Sequence, residues 1–307
     1  MSKILVATDK PFAPIAVKGI REVVEAAGDE LVLLEKYTGK AELLEAVKDV
    51  DAIIIRSDKI DNDVFDAAKA LKIVVRAGAG YDNVDLAAAT VHNVCVMNTP
   101  GQNSNAVAEL AFGMLVYAVR NFYNGTSGKE LKGRKLGILA FGNVGRNVAR
   151  IAKGFGMEVY AYDAYCPKAA IEEAGVKAVD STADLFKLCD IVSLHIPATS
   201  ETKKSINYNL MSTMPKGAIL LNTARKEVVD EEGLLKLMSE RPDFKYITDI
   251  MPDNDAELKK QFADRYFSTS KKMGAQTAEA NINAGIAAAK QIEGFLKKGI
   301  EKFKVNK

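Results

Sequence analysis

The sequence predicts an α/β protein built from two doubly wound parallel-sheet units in tandem. Three observations carry this. Short β-branched and aliphatic runs alternate with amphipathic stretches from end to end, the pattern of buried parallel strands joined by helical crossovers. A strand–glycine turn–helix–strand unit ending in an acid occupies residues 136–163. Pro100-Gly101 breaks the chain ahead of a long apolar stretch, which sets a boundary between two units.

The first unit carries strand runs "ILVAT" (4–8), "LVLLE" (31–35), "AIIIR" (52–56), "KIVVRAG" (72–78) and "VCVMN" (94–98). The second carries "LGILAF" (136–141), "EVYAYD" (158–163), "IVSLHIP" (191–197), "AILLNTA" (218–224), "KYITDI" (245–250) and "RYFST" (265–269). Helical periodicity fills the gaps, as in "TADLFKLC" and "DEEGLLKLMSE". After the break, Val107, Leu110, Ala111, Met114, Leu115 and Ala118 fall at helical spacing. A last alanine- and lysine-rich helix, from about Glu279 to Ile300, has no strand of its own nearby and is expected to cross back to the first unit.

Composition narrows the function classes. The 307 residues suffice for two ordinary domains, each with its own core. Lys and Arg number 42 against 40 Asp and Glu, a balance that argues against a nucleic-acid or acidic-membrane partner. Cys95, Cys166 and Cys189 are scattered and show no metal-ligand spacing, so no metal and a reducing cytoplasm are expected. The opening "MSKILVATDKPF" reads as a first strand rather than a signal peptide. No apolar run approaches the roughly 20 residues of a membrane helix.

"LGILAFGNVGRNVARIAKGFGMEVYAYD" has the organisation of a dinucleotide-binding βαβ unit. Gly142 lets backbone approach a pyrophosphate, and the following helix offers it free N–H groups and a positive dipole end. Gly145 permits close helix–strand packing. Asp163, 21 residues after Gly142, is placed to accept from the adenosine ribose hydroxyls. Its charge opposes a 2′-phosphate and no arginine follows it directly, so NAD is expected over NADP. Ala140 replaces the first glycine of the G-x-G-x-x-G pattern; the expectation is that φ stays negative there.

Taken with this unit, "IIIRSDKI" (53–60), "VVRAGAGYDNVDLAAA" (74–89), "VMNTPGQNSNAVAELA" (96–111), "LHIPATSETKKSIN" (194–207), "LLNTARKEVVDEEGL" (220–234) and "GAQTAEAN" (274–281) resemble the D-2-hydroxyacid dehydrogenase family, in the family's order. "RAGAGYDNVD" and "MNTPGQNS" look most like its phosphoglycerate dehydrogenase branch, which opens serine biosynthesis by oxidising D-3-phosphoglycerate. The resemblance implies a flavodoxin-like substrate-binding domain, residues 1–98 plus 280–307, and a Rossmann NAD-binding domain, residues 99–279. It also implies a cleft between them, a homodimer formed through the NAD-binding domain, and a short form without a serine-sensing C-terminal domain.

The resemblance assigns roles to residues. Arg225, after "AILLNTA", corresponds to the family's catalytic arginine, and a guanidinium there can hold a carboxylate and polarise the reacting carbonyl. Ala77, Gly78 and Ala79 are expected to offer backbone N–H groups to the substrate carboxylate as a nest. Arg56, Ser57 and Lys59, helped by Lys10, are expected on the substrate, the cations facing a phosphate. Asn103, Asn143, Val144, His195, Pro197, Thr223, Ala224, Asp249 and Gly274 join Gly142, Gly145 and Asp163 as expected cofactor contacts.

The family's acid–base pair is a histidine and a glutamate. Here "GAQTAEA" places Lys272 at the histidine position, and "TDIMPDNDAEL" places Asn254 near that of the glutamate, with the flanking Asp253 or Asp255 as the alternative in its place. His195 belongs to the cofactor-flanking stretch, and His92 is expected at the surface. Free lysine titrates near 10.4, whereas a base at neutral pH needs about 7 to 8. A close carboxylate holds lysine charged, so exchanging Glu for Asn removes an obstacle. Arg225 and exclusion of water push further the same way. Lys272 is therefore expected to be the general acid/base, with Lys271 as the alternative carrier and an inert lysine as the bland reading. Two rival functions stand beside this one. The first is a hydroxypyruvate, glyoxylate or D-lactate reductase, the second a non-catalytic NAD-binding protein of corepressor type.

Overall fold

The structure is a computed structural model that describes residues 1–307. The chain divides into two compact units: Met1–Asn103 with Gln276–Lys307, and Ser104–Ala275.

The first unit holds strands β1 (Lys3–Thr8), β2 (Glu30–Glu35), β3 (Ala52–Ile55), β4 (Ile73–Arg76) and β5 (Cys95–Asn98). They form one parallel sheet in the order β2-β1-β3-β4-β5, a flavodoxin-like arrangement. Side chains alternate faces along each strand. Ile4 and Val6 pack on one side with Ala16, Ile20, Val24 and Ala288, whereas Leu5 and Ala7 pack on the other with Leu43, Val64 and Phe65. Both faces are covered, and each fully buried aliphatic side chain contributes roughly 1.5–3 kcal/mol.

The helix Ala278–Lys298 lies on the helix Pro14–Ala26 and closes the first of these layers. Small residues let the two helices approach: a Cβ on Gly19 would stand 2.6 Å from Ile286 Cδ1. Thr277 caps the helix by accepting from the Ala280 N–H at 3.1 Å, and Gly299 ends it at φ +64°. The tail then runs along β5, where the Val96 N–H donates to Asn306 Oδ1 at 2.8 Å and the Val305 N–H to the Val96 carbonyl at 2.8 Å.

The second unit holds β6 (Lys135–Leu139), β7 (Glu158–Tyr162), β8 (Lys177–Ala178), β9 (Ile191–Leu194), β10 (Ile219–Asn222), β11 (Lys245–Thr248) and β12 (Tyr266–Ser268). All are parallel, in the order β12-β11-β10-β9-β6-β7-β8. The order reverses between β6 and β9, where doubly wound sheets bind ligands at the strands' carboxyl ends. Again the faces alternate: Ile219 and Leu221 enter one core layer, Leu220 the other.

Five of the strands, β4, β6, β9, β10 and β11, end two or three residues before the runs read from sequence, and the others end with their runs or one residue before. The surplus apolar residues continue into loops at the carboxyl ends rather than along the ladder. β8 was not anticipated, since its two residues at a sheet edge leave no periodic signal.

Candidate active site

Register brings the site together. Leu139 pairs with both Tyr162 and Leu194, Leu194 with Asn222, Asn222 with Thr248, and Thr248 with Ser268. The next residues along, Asp163, Ala140, His195, Thr223, Asp249 and Thr269, therefore form one row across the carboxyl end of the sheet.

At the head of this row the glycine turn joins β6 to the helix Asn143–Gly154. Gly142 precedes the helix with no side-chain cap, and the first turn carries no acidic residue. A Cβ on Gly142 would meet nothing within 4 Å. The turn thus presents open space and uncapped N–H groups, which suits an anion. Asn143 and Val144 begin the helix beside it. A Cβ on Gly145 would stand 2.4 Å from the Ala140 carbonyl oxygen, so only glycine allows this approach. The expectation for Ala140 is corrected: its φ is +77°, the left-handed conformation that the glycine of the pattern adopts freely.

Asp163 is more occupied than expected. Its Oδ2 accepts from the Phe141 N–H at 2.7 Å, and Oδ1 accepts from the N–H groups of Tyr165 and Cys166 at 2.7 and 2.9 Å. The carboxylate thus braces the glycine turn as well as ending β7, and Oδ2 keeps an acceptor position for a hydroxyl.

The other end of the row holds two cations. Arg225 Nη1 donates to the Ala224 carbonyl at 2.9 Å, and Lys272 Nζ donates to the same carbonyl at 3.3 Å. The turn beneath them is shaped by Asn222, fully buried, whose Oδ1 accepts from the Ala224 N–H and whose Nδ2 donates to the Arg225 carbonyl, both at 2.9 Å. The loop bearing Lys272 is held by Asp249, also fully buried, which accepts from the N–H groups of Met273 and Gly274 at 2.8 and 2.7 Å. Asp249 and Gly274 were expected at the cofactor. The structure gives both to this loop, where a Cβ on Gly274 would press on Asp249 Oδ2 at 3.0 Å.

The acidic neighbours are engaged elsewhere. Asn254 Nδ2 donates to the Glu231 carbonyl at 3.3 Å, at the edge of a cavity of about 720 Å³ lined also by Lys203, Lys204 and Lys226. Asp253 pairs with Lys226. Asp255 is buried and accepts from Tyr266 Oη at 2.7 Å and Ser268 Oγ at 2.5 Å.

The two histidines take other work. His195 Nε2 lies 2.9 Å from Ser193 Oγ, and burial pushes the imidazole down to about 4. It is neutral at pH 7. His92, expected at the surface, is instead half-buried against the Phe65 ring, with Asp66 3.6 Å away.

A model of the D-isomer specific 2-hydroxyacid dehydrogenase NAD-binding domain matches residues 105–268. The chain is 37% identical to D-3-phosphoglycerate dehydrogenase of Methanocaldococcus jannaschii over 97% of its length and 58% of that protein's. It is 35% identical to a hydroxypyruvate reductase of Thermotoga maritima, over 86% of this chain and 90% of that one. The chain belongs to the D-isomer specific 2-hydroxyacid dehydrogenase family. Among solved structures, the NAD⁺-bound 3-phosphoglycerate dehydrogenase of Entamoeba histolytica is 48% identical and superposes with a TM-score of 0.87, covering 100% of this chain and 99% of that one.

The family's members are NAD-dependent oxidoreductases, and the residues at the glycine turn fit that cofactor. The uncapped helix start suits its pyrophosphate and Asp163 its ribose. Thr223 Oγ1 in the same row is buried without a hydrogen-bond partner, a polar atom left for a ligand. Pro197, whose carbonyl accepts from Thr202 Oγ1 at 2.6 Å, shapes the loop after β9. Asn103 ends the first segment of its own unit, just before the helix Ser104–Val119.

In the first unit the substrate expectations shift in three places. Ala77 donates its N–H to the Ile55 carbonyl at 2.8 Å as β4 runs out, so that N–H is taken up within the sheet. Arg56 is half-buried and engaged within its own unit: Nη1 donates to the carbonyls of Lys10 and Pro11, Nη2 to Asn281 Oδ1, and the guanidinium lies over the Phe12 ring. Lys59 is mostly exposed, 3.9 Å from Asp61, in the loop it shares with Ser57. The cation missed from sequence is Arg76. It ends β4, donates from Nε to the Arg56 carbonyl at 3.0 Å, and occupies the space beside Gly78 where a Cβ would sit 1.5 Å from Nη1. Its place inside a strand run hid it, whereas its spacing of two before Gly78 was a usable signal.

Proposed function

We propose that this chain oxidises D-3-phosphoglycerate to 3-phosphohydroxypyruvate with NAD, the first step of serine biosynthesis. The observation that carries this reading is the convergence of Arg225 and Lys272 on the Ala224 carbonyl, beside the cofactor's row of strand ends. Arg225 holds the substrate carboxylate and polarises C2–O. Lys272 Nζ takes the hydroxyl proton as the C2–O bond becomes a carbonyl. NAD, when bound, supplies the acceptor for the hydride leaving C2. Gly78 and Ala79 offer N–H groups to the carboxylate, and Arg76 supplies a cation for the phosphate.

The likeness to phosphoglycerate dehydrogenases supports the phosphorylated substrate. The likeness to a hydroxypyruvate reductase, at similar identity, favours a second reading in which the physiological reaction reduces an unphosphorylated keto acid. We further propose a cytoplasmic homodimer. The helix Ser104–Val119 is apolar apart from Ser104, Asn105 and Glu109 in its first two turns, and its half-buried Leu110, Val116 and Tyr117 would meet a second copy. The three free cysteines fit a reducing compartment.

The test follows NADH absorbance across pH with D-3-phosphoglycerate, D-glycerate and D-lactate in parallel, and with hydroxypyruvate and glyoxylate in reverse. Turnover restricted to the phosphate ester, rising with pH, is expected. Reduction of unphosphorylated keto acids alone would replace it with the second reading. NADH binding without turnover on any of them would favour a non-catalytic NAD-binding protein.

A further inference from the structure

We infer that the buried Asp249 is the positioning residue for Lys272, and that Asn222, joined to it, does the same for Arg225. This deepens the reading above and rests on Lys272 as the proton carrier. Lys272 is exposed and sits on a loop rather than on a helix or strand, so the backbone that carries it is placed by the contacts of that loop. A flexible four-carbon stem delivers a proton efficiently only if its base is held. The structure holds that base immediately on the C-terminal side. Met273 and Gly274, the next two residues, each donate their N–H to a different oxygen of the Asp249 carboxylate. On the N-terminal side, Thr269 Oγ1 stands 3.0 Å from Asp249 Oδ1 and 2.8 Å from the Lys271 carbonyl. Asp249 therefore grips the loop directly on the C-terminal side of Lys272, and Thr269, whose single hydroxyl hydrogen goes to Asp249 or to the Lys271 carbonyl, serves the N-terminal side.

A carboxylate suits this place because it accepts only. Three donors point at it, two of them backbone N–H groups that no rotation can redirect. An amide there would turn an NH₂ toward one of those N–H groups and break that bond while keeping the shape. The Asp249 N–H in turn donates to the Asn222 carbonyl at 2.9 Å. Asn222 pins the Ala224 N–H and the Arg225 carbonyl. Both ends of the Ala224–Arg225 peptide are fixed, and the Ala224 carbonyl is set to receive both cations. Neither Asn222 nor Asp249 is exposed to solvent, so they act through the residues they hold.

The experiment is a double-mutant cycle on the full chain with Asp249→Asn and Lys272→Ala, with melting temperature and NADH affinity measured on each variant. Asp249→Asn alone should lower kcat by about 10²-fold, the cost of misplacing a reacting group by about 1 Å. It should leave little further loss in the Lys272→Ala background, because the group it places is gone. Hydrogen exchange at Met273 and Gly274 should quicken in the same variant. Equal losses in both backgrounds would overturn the inference, since a general structural defect is additive. So would unchanged kcat in Asp249→Asn. Should that variant fold poorly, Thr269→Val removes the other grip from the loop and is read by the same cycle and the same outcomes. Wild-type turnover in Lys272→Ala alone would instead sink the proton-carrier reading, an outcome separate from the other two.

Discussion

Arg225 Nη1 and Lys272 Nζ meet on one acceptor, the carbonyl oxygen of Ala224, at 2.9 and 3.3 Å. On the proposed reading, an anionic substrate brings its carboxylate and developing oxyanion to these same two cations.

Removing Lys272 tests the chemical half of that arrangement. Lys272→Ala should lower kcat by about 10²- to 10⁴-fold, the usual worth of a general base, with NADH affinity unchanged. Lys271→Ala should stay close to wild type. Lys272→His should move the ascending limb of the kcat–pH profile toward the ordinary histidine value near 6.5. The readout is initial rate from pH 6 to 10, roughly the span between the two ordinary values.

Arg76 tests the substrate half. Arg76→Ala should raise KM for the phosphorylated acid by at least ~10-fold, the loss of one charge-assisted contact of about 1.5–3 kcal/mol, while NADH affinity holds. Gly78→Ala should do the same by displacing Arg76, since the new methyl would fall 1.5 Å from Nη1. Arg56→Ala should instead lower the melting temperature, because that guanidinium ties Lys10, Pro11 and Asn281 together. Steady-state kinetics and calorimetry on the three variants separate these outcomes.

Ala140 sits at φ +77°, where an L residue pays roughly 1–2 kcal/mol. Ala140→Gly should therefore stabilise the protein. Net of glycine's larger unfolded-state entropy, the gain should be about 0.5–1 kcal/mol, or roughly 1–3 °C in Tm. Gly145→Ala should act oppositely and weaken NADH binding, because its Cβ would drive against the Ala140 carbonyl. Thermal melts with and without NADH decide both.

Two buried groups give the stability curve opposing slopes. Burial pushes the His195 imidazole down to about 4, so its contribution is complete above the ordinary 6.5 and is lost as pH falls toward 4. Burial, then the charge of Asp29, pushes the Glu293 carboxyl up to about 7 from an ordinary 4.5. Its contribution is complete below 4.5 and is lost as pH rises through 7. Between those ordinary values the slopes partly cancel. His195→Asn should remove the acid-side loss, and Glu293→Gln should raise stability at pH 8 relative to pH 5. Urea unfolding at the two pH values checks each sign.

The fold was legible because buried parallel strands are written as continuous β-branched runs, which "AIIIR" and "AILLNTA" spell out. The glycine turn was legible because Gly142, Gly145 and Asp163 are spaced by the geometry of one βαβ unit. The backbone state of Ala140 was not, since nothing in an alanine announces a positive φ imposed by its neighbours. Nor were the engagements of Arg56 and Asp249. Both stand where the family resemblance places ligand contacts, yet the partners that claim them, Asn281 and Met273, lie 225 and 24 residues away. Sequence shows which groups reach a strand end, whereas three-dimensional packing decides which remain available there.

The order in which the chain is made has a consequence for its first unit. The sheet through β5 is complete in sequence by Asn98, but the helix that covers one of its faces does not begin until Ala278. At about 5–20 residues per second of synthesis, that interval lasts on the order of 10 to 35 seconds. Throughout it Ile4, Val6 and Ile20 lack their cover of Ala284, Ala288 and Ile292, while Ser104–Ala275 is being made. The earlier-made sheet therefore keeps an apolar face uncovered until the helix Ala278–Lys298 has been made.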